Sequence, residues 1–338
     1  MKLVEIKPNE FNELALSEPN ESFYQTANWG EFYTSLGYNP IYIGYIDDRS
    51  VYSALALILV KNKESFFSHK TAICPYGYLI NYYDKDLLRN FTIDLKKFLS
   101  KKGIGELTIN PNVTYLTSRG NNGLLIKNLA NLGYKKTKNN CFYTYEIDKL
   151  TNVEQTEDIY LDTYVIENSE QASKLFKANK NYKCLYDAMG KLVKFVVCEL
   201  DVKTSINKLN KRIEDAKNYI DLHKEEIDNP DIDKNKKLIN EKQSLLDLLN
   251  KYSNENTDNQ LLAVTCFVEF KNKATILFTD NKKEYESLNT LALINHKTME
   301  TLDKLGYKTF DSYTETDNGQ KIDLIGVFTY QVKWLLPA

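Results

Sequence analysis

The sequence predicts an α/β (α+β) protein of two lobes, with a long antiparallel helical hairpin inserted in the second lobe. Three patterns lead to this prediction. Apolar stretches with strand character alternate with amphipathic helices, and a Leu-Gly-Tyr signal recurs in both halves. A heptad seam followed by a second apolar stripe occupies residues 202–253. The chain has 338 residues, of which 42% are hydrophobic, and that suffices for two domains with buried cores. We place the first lobe at residues 1–150 and the second at 151–338, interrupted by the hairpin at 202–253.

The first half alternates helices and strands. Helical pieces are predicted over residues 9–36, and two strands over 40–46 and 51–60 around a polar turn. A helix follows over 84–101, and its one-sided apolar face consists of Leu87, Leu88, Phe91, Leu95 and Phe98. Gly103 ends this helix, and residues 106–109 form the next strand.

A Leu-Gly-Tyr triplet marks three transitions from helix to strand. The triplets are centred on Gly37, Gly133 and Gly306. In each, a glycine C-cap is followed by an aromatic residue that turns the chain back onto a sheet. One copy in each half indicates two related lobes, and common helix-to-strand punctuation is the equally weighted alternative.

The heptad seam predicts the hairpin. Its apolar positions alternate steps of four and three along Val202, Ile206, Leu209, Ile213, Ala216, Ile220, His223 and Ile227. A turn at residues 228–231, containing Pro230, breaks the pattern before a second apolar stripe from Leu238 to Tyr252. Two such helices should pack antiparallel, and the first should be about 40 Å long. His223, near the tip, is expected to be packed or solvated.

After the hairpin the pattern returns to strands and one helix. We predict strands over residues 261–271 and 274–279, a helix over 284–305, and final strands over 309–313 and 325–334.

Charge and composition narrow the function classes. The formal net charge is −2, so no global electrostatic footprint for nucleic acid exists. The five cysteines are odd in number and lack C-x-x-C spacing, and the three histidines are isolated; a metal site is therefore not expected. Neither an apolar signal segment nor a membrane-length apolar run is present, which predicts a cytoplasmic protein. Phosphate-loop, dinucleotide-binding, nucleophile-elbow and zinc-protease motifs are likewise missing from the sequence.

Several segments resemble one family in order along nearly the whole chain. These are the opening helix Gln25-Thr26-Ala27-Asn28-Trp29-Gly30, the loop and strand from Cys74 to Asp84, the strand end Leu107-Thr108-Ile109-Asn110-Pro111, the segment Tyr182–Met189 with Lys194–Val197 that resembles the strand leading into the arm, and the long helix from Tyr285 to Gly306. The chain resembles a divergent, FemA-like member of the FemABX family of peptidoglycan interpeptide-bridge aminoacyltransferases.

The resemblance implies a fold and an activity. The fold would be two GNAT-like (acyl-CoA N-acyltransferase-like) lobes with a coiled-coil hairpin. The activity would be transfer of an amino acid from aminoacyl-tRNA to the stem peptide of lipid II or of UDP-N-acetylmuramoyl-pentapeptide, with no cofactor beyond the tRNA donor. The resemblance is also compatible with a peripheral contact with the inner membrane face and with contacts with other family members.

The chain departs from the family where cations are expected. Glu31, Phe32 and Tyr33 occupy the stretch where a lysine usually follows the tryptophan of the first helix. The basic T-R-x-N-I helix of the second lobe and the late F-K segment are missing, and the acidic region between Asp148 and Tyr182 looks shortened. These losses weaken the expected binding of a pyrophosphate-bearing precursor.

The family pattern leaves six candidate substrate-binding residues and assigns no catalytic residue. The candidates are Trp29, Tyr33, Tyr76, Phe278, Lys282 and Lys283. Five of them have a simpler interpretation: packing for Trp29, Tyr33 and Tyr76, and a solvated helix start for the two lysines. Phe278 stands where the second lobe usually offers a tyrosine hydroxyl. Two functions follow, an active aminoacyltransferase or a catalytically degenerate family member that acts as a binding or partner protein.

Overall fold

The computed structural model describes residues 1–18, 21–62, 69–113, 121–147, 158–226, 229–253, 259–312 and 321–334. The strands in these ranges are β1 (Lys2–Glu5), β2 (Tyr38–Ile46), β3 (Tyr52–Lys61), β4 (Lys70–Cys74), β5 (Leu79–Ile80), β6 (Ile104–Ile109), β7 (Lys135–Glu146), β8 (Leu161–Val165), β9 (Val193–Asp201), β10 (Asn259–Phe270), β11 (Lys273–Asn281), β12 (Thr309–Ser312) and β13 (Lys321–Lys333). The α-helices are α1 (Pro8–Ser17), α2 (Ala27–Ser35), α3 (Lys85–Lys101), α4 (Asn121–Asn131), α5 (Ser169–Ala178), α6 (Lys180–Met189), α7 (Val202–Leu222), α8 (Pro230–Ser253) and α9 (Thr290–Lys304).

The described strands join in one continuous sheet. Its order is β1-β2-β3-β4-β6-β13-β7-β12-β11-β10-β9-β8, and β5 pairs with β3 beside this path. Strands of the first half therefore form one end of the sheet and strands of the second half form the other.

At the centre of the sheet, strands from the two halves of the chain alternate. The C-terminal strand β13 pairs antiparallel with β6 and β7 of the first half, and β7 in turn pairs with β12 of the second half. The C-terminal strand thus completes the sheet beside β6. The predicted division at residue 150 falls in 148–157, outside the described residues, and stays a prediction.

The turn and cap signals of the first half are confirmed. Helix α3 begins after Asp84, whose carboxylate accepts from the Leu87 backbone N–H at 2.9 Å, and ends before Gly103 at φ 74°. The glycines of the three Leu-Gly-Tyr triplets all have φ between 83° and 87°, the left-handed conformation that glycine adopts without strain. In the second and third copies the tyrosine N–H donates to a carbonyl five residues earlier, which closes the same type of helix end.

Two expectations for secondary structure are wrong, and one short strand was not predicted. Tyr182–Met189 forms helix α6, and only the residues from Val193 onward form the strand that leads into the arm. The helix expected from residue 284 begins as a 3₁₀ turn, Lys283–Leu288, and the α-helix starts at Thr290 after Asn289 at φ 58°. Strand β1, which pairs with β2, was missed because its four residues carry little periodic signal.

The hairpin is present, and its base is built into the second lobe. Helices α7 and α8 pack through Leu209, Ile213, Leu246 and Leu249, which share one buried cluster with Val202 and the lobe residues around it. Burial decreases along the arm, and Leu222 is 82% exposed. Supercoiling of the two helices stays a prediction. Among the described residues, no helix is both long enough and apolar enough to cross a membrane.

Two hydrophobic clusters lie in the lobes and a third lies between them. The third cluster combines first-lobe residues such as Trp29 and Tyr76 with second-lobe residues such as Tyr182 and Phe195. Helix α2 packs on α6, and the Asn28 side chain donates to the Ala188 carbonyl at 2.7 Å. At the rim, Lys271 pairs with Glu21 and donates to the Leu16 carbonyl at 2.7 Å.

Candidate functional site

Two pairs of neighbouring strands run parallel, one pair in each lobe. They are β4 with β6 and β11 with β12, whereas the other strand pairs of the described residues are antiparallel. The carboxyl ends of adjacent parallel strands are where open α/β sheets commonly bind ligands. Each lobe therefore carries one candidate opening, and the two differ in how they are filled.

The first-lobe junction is filled by its own chain. After Cys74 the chain turns through Pro75 and Tyr76 into β5. The Gln25 side chain, which is fully buried, contacts this loop. The Gln25 amide donates to the Pro75 carbonyl at 2.5 Å, and its oxygen accepts from the Leu57 N–H at 2.8 Å. A Cβ added at Gly77 would lie 2.6 Å from the Cys74 sulfur, so the loop has no room for one methyl group.

The three aromatic candidates of the first lobe lie in packed surroundings. Tyr76, at φ 50° and 8% exposed, stacks on Tyr24 with ring centroids 4.1 Å apart. Trp29 is 6% exposed and meets Tyr24 edge-on at 4.9 Å, and its indole N–H is buried without an acceptor among the described residues. Tyr33 is half-buried against Trp29 at 5.5 Å, and burial raises the pKa of its phenol. In this structure the three rings therefore contribute mainly to the packing of the hydrophobic core.

No comparable filling of the second-lobe junction is seen among the described residues. The described part of β12 ends at Ser312, which pairs with Ile276, and β11 continues to Asn281 with no described strand on that side. A bulge interrupts β11 just after Ile276, since Cys266 pairs with Phe278 but the adjacent Phe267 pairs with Ile276. The last residues of β11 thus present a free backbone edge in the described part of the chain.

A stacked pair of aromatic rings and a carboxylate border this edge. The ring of Tyr182, from α6, lies 5.3 Å from Phe278 at an interplanar angle of 15°. The Tyr182 hydroxyl donates to the exposed Asp280 carboxylate. Burial raises the pKa of Tyr182, and the hydrogen bond and charge of Asp280 raise it further, so the phenol remains protonated at neutral pH. Tyr182 therefore supplies a hydroxyl beside Phe278, which has none.

Lys282 and Lys283 lie beyond this group at the end of β11. Both are exposed, and Lys282 precedes the 3₁₀ turn that replaces the expected helix start. Because the α-helix begins only at Thr290, its N-terminus does not reinforce a site at these lysines. Their proposed role in binding stays a prediction that rests on their charge alone.

The structure brings four of the six candidates into the cluster between the lobes. Trp29 and Tyr76 are buried members, whereas Tyr33 and Phe278 pack against its edge. Sequence reasoning missed Gln25, Tyr182 and Asp280 as site residues. Tyr182 lay in a segment interpreted as a strand, and Asp280 became notable only through its hydrogen bond.

Metal ligation and thiol chemistry find little support in the described residues. They contain no group of three or more histidine, cysteine or acidic side chains that could hold a metal ion. Burial raises the pKa of Cys74, Cys198 and Cys266, which keeps these thiols protonated and poorly nucleophilic. Chemistry at the second-lobe opening would therefore use the phenol, the carboxylate and the backbone edge.

Comparison with solved structures identifies the fold. The crystal structure of FemX is 16% identical with a TM-score of 0.59, covering 99% of this chain and 98% of that chain. A tandem GNAT protein from the clavulanic acid biosynthesis pathway is 9% identical with a TM-score of 0.56, covering 98% of both chains. The expected fold of two GNAT-like lobes is thus confirmed. A search of curated proteins found no match.

The family assignment rests on the sequence itself. A model of the FemAB family matches residues 6–148 and 135–314, which together span most of the chain. The two matched pieces overlap at β7, the strand that the two halves of the sheet share. The resemblance found in the sequence is therefore confirmed, and the chain belongs to the FemAB family.

Proposed function

We propose that the protein is an aminoacyl-tRNA-dependent aminoacyltransferase that adds an amino acid to the stem peptide of a peptidoglycan precursor. Family membership supports a bridge-forming aminoacyltransferase in general terms. The precursor would be lipid II or UDP-N-acetylmuramoyl-pentapeptide, and the reaction would take place in the cytoplasm, where charged tRNA is made.

The observation that carries the proposal is the end of β11 at the second-lobe junction, where Tyr182 and Asp280 lie together beside a strand edge that is free among the described residues. In the reaction a stem-peptide amine attacks the ester carbonyl of the aminoacyl group. A C–N bond forms, the C–O bond to the ribose breaks, and the proton lost by the amine ends on the ribose oxygen. A carboxylate that accepts this proton and a phenol that donates one to the leaving oxygen match the two proton transfers.

The free edge of β11 suits an extended acceptor. An extended peptide can pair its backbone with an exposed strand edge, and side-chain contacts then select the register. The stacked rings of Tyr182 and Phe278 offer an apolar floor next to that edge. The reaction itself requires neither a metal nor coenzyme A.

One observation favours the alternative, a catalytically degenerate binding or partner protein. In the stretch where the family usually carries a lysine, helix α2 presents the exposed Glu31, while Phe32 and Tyr33 pack against Trp29. A carboxylate at this position would repel a pyrophosphate-bearing precursor.

The test is incubation of the protein with charged tRNAs and a precursor, followed by mass spectrometry of the precursor. We expect a mass increase of one amino-acid residue that depends on the charged tRNA. Tyr182→Phe serves as the matched variant, because it keeps the ring stack and removes only the hydroxyl. Acetyl-CoA is the control donor. If no charged tRNA gives product while the precursor still binds, the degenerate alternative is correct.

A further inference from the structure

We infer that the outer edge of strand β8 binds an extended basic segment of a partner protein, which adds to the sheet as one more strand. A pocket between β8, β9 and helix α5 lies beside this edge and would receive a lysine or arginine side chain of that segment. Strands β9 and β10 separate this surface from β11, and the inference does not depend on the proposed function.

Strand β8 leaves one side of its backbone unpaired at the end of the described sheet. Of the described strands, β9 alone pairs with it. Just beyond β8, the Ile166 N–H donates to the Phe195 carbonyl of β9. Because backbone groups alternate between the two sides of an antiparallel strand, the N–H and C=O groups of Leu161, Thr163 and Val165 face away from β9. Such a row of outward donors and acceptors is what the addition of a further strand requires.

The side chains beside this edge are acidic. Asp162 of β8 and Glu199 of β9 are directly opposite each other, and with Glu170 of α5 they line a pocket of about 370 Å³. Three carboxylates against the ammonium of Lys174 give the lining a net charge of −2. The acidity extends along the chain, since residues 150–173 contain six acidic residues and no basic one. A surface of this charge attracts a basic partner and repels an acidic one.

Glu199 is a buried carboxylate for which the described residues supply no cation. Its side chain is 7% exposed, and the Tyr164 hydroxyl donates to it. The other buried carboxylate of this lobe, Asp158, is paired with both Arg212 and Lys242. A carboxylate keeps further acceptor sites after one hydrogen bond, and burying it is costly unless a cation or more donors satisfy it. A lysine or arginine side chain in the pocket would supply the cation that Glu199 lacks.

Strand addition would bring such a side chain to the pocket. Residues directly opposite each other on neighbouring strands point to the same face of the sheet. The partner residue opposite Asp162 therefore points to the face that also carries Glu199. Because side chains alternate between the faces, the favoured segment has a basic residue at every second position, with apolar residues beside Leu161 and Val165. A second copy of β8 fits poorly, since pairing would bring two acidic edges together.

The experiment measures binding of a fluorescently labelled peptide, in which lysine alternates with valine, to the full-length protein by anisotropy. One control peptide has glutamate in place of lysine. Two others carry backbone N-methyl groups on either the lysine or the valine amides, because the amides of alternate residues face opposite edges of a strand. We expect the glutamate peptide not to bind and only one of the two methylated peptides to keep the parental affinity. Equal affinities of the two methylated peptides would overturn strand pairing, because attraction by charge alone would not distinguish them.

Thr163→Pro tests the strand edge. The Thr163 N–H faces away from β9, so proline removes a donor to the partner without removing a hydrogen bond to β9. We expect binding to weaken about tenfold or more while cooperative thermal unfolding is retained. Thr163→Ala is the matched control, because it keeps the N–H and should bind as the parent does.

Asp162→Asn with Glu170→Gln tests the charge of the rim, where both side chains are exposed. We expect binding to weaken about tenfold at low salt and to lose most of its salt dependence. Glu13→Gln with Asp86→Asn removes the same two charges from exposed positions of the first lobe and should leave binding unchanged.

Glu199→Gln separates a role in binding from a role in the fold. It keeps the shape of the side chain and an acceptor for Tyr164, and it removes a buried charge that has no cationic partner among the described residues. We expect the variant to bind the peptide more weakly and yet to unfold at a Tm no lower than that of the parent.

Several results would overturn the inference. The alternating peptide fails to bind the parent protein, or it binds Thr163→Pro as well as the parent. Spermidine or lysine amide binds with the affinity of the peptide, which would make the pocket a site for small cations. UDP-N-acetylmuramoyl-pentapeptide displaces the peptide, which would assign the surface to the precursor. The protein forms a dimer that Thr163→Pro abolishes, without binding the peptide, which would assign the edge to a second copy. Absence of aminoacyl transfer with intact peptide binding would count against the proposed function alone.

Discussion

The two lobes share one strand arrangement and use it in opposite ways. In the first lobe the parallel pair β4–β6 runs into a loop that folds back, and Gln25, Tyr76 and Gly77 fill the space beyond Cys74. In the second lobe the described pairing of β12 with β11 ends at Ile276–Ser312, and the hydroxyl of Tyr182 and the carboxylate of Asp280 lie beside the part of β11 that continues beyond it. A shared fold therefore does not imply two equivalent sites, because local packing decides which junction can receive a ligand.

The buried ionisable groups differ in the same way. Those of the first lobe are neutral: burial raises the pKa of Tyr78, Tyr82 and Tyr134. The second lobe buries the charged Asp158. Burial alone would raise the pKa of Asp158, but hydrogen bonds from Lys242 and Arg212 outweigh it and lower the pKa. Among the described residues, the buried interior of the first lobe is thus uncharged, whereas that of the second lobe includes a charged carboxylate.

The largest effect on stability is expected when the buried side chain that fills the first-lobe junction is removed. Gln25→Ala removes a fully buried amide and leaves the Pro75 carbonyl and the Leu57 N–H unsatisfied. We expect the free energy of unfolding to fall by about 3 kcal/mol in urea denaturation. Gln243→Ala, on the exposed face of α8, is the matched control and should change it by less than about 0.5 kcal/mol. An equally small effect of both variants would mean that the first junction is loosely packed and could receive a ligand.

A substitution at the second-lobe junction should lower the transfer rate strongly and change the free energy of unfolding only slightly. Tyr182→Phe removes the hydroxyl that donates to the Asp280 carboxylate and keeps the stack on Phe278. We expect the transfer rate to fall roughly 100-fold, as for loss of one acid–base group, with a stability change of about 1 kcal/mol or less. Single-turnover kinetics with charged tRNA would measure this. A variant with the parental rate would exclude the phenol from the chemistry.

As the pH falls, the second lobe should lose stability before the first lobe does. The lowered pKa of Asp158 contributes stability that is present above the unfolded-state pKa near 3.9 and is lost as pH falls through the lower folded-state value. We expect Asp158→Asn to cost about 2 kcal/mol at neutral pH and distinctly less at about pH 3. Urea denaturation of both proteins at the two pH values would show this. The control is Asp233→Asn, at an exposed position near the start of α8, and its cost in stability should be the same at both pH values.

The smallest effect concerns binding of the precursor. Because the family's cationic positions are missing, residual binding of UDP-N-acetylmuramoyl-pentapeptide should be weak and nearly independent of salt. Glu31→Lys restores a cation on the exposed face of α2 and should tighten binding by about fivefold at most, with a measurable salt dependence. Calorimetry would decide this. Low-micromolar binding by the parent that collapses with salt would reveal a basic site elsewhere and favour the enzyme over the degenerate alternative.

The base of the arm belongs to the fold of the second lobe. The Ser205 hydroxyl of α7 accepts from the Tyr160 backbone N–H, and Arg212 of α7 and Lys242 of α8 pair with Asp158. At the far end of α7, by contrast, Leu222 is 82% exposed. The heptad seam alone does not distinguish these two parts of the arm.

The sequence by itself determined the elements that depend on neighbouring residues. The heptad seam predicted the hairpin, the Leu-Gly-Tyr glycines predicted the helix ends, and the amphipathic stripe predicted helix α3, because periodicity and backbone conformation are local properties. Its ordered motifs also identified the family, which the family model confirms.

Only the tertiary structure decided what depends on distant residues. The insertion of β13 between β6 and β7, the ring stack of Tyr182 on Phe278 and the two cations on Asp158 join positions far apart in the chain. Strand pairing and charge proximity depend on distances in space, and periodicity along the chain carries no information about them.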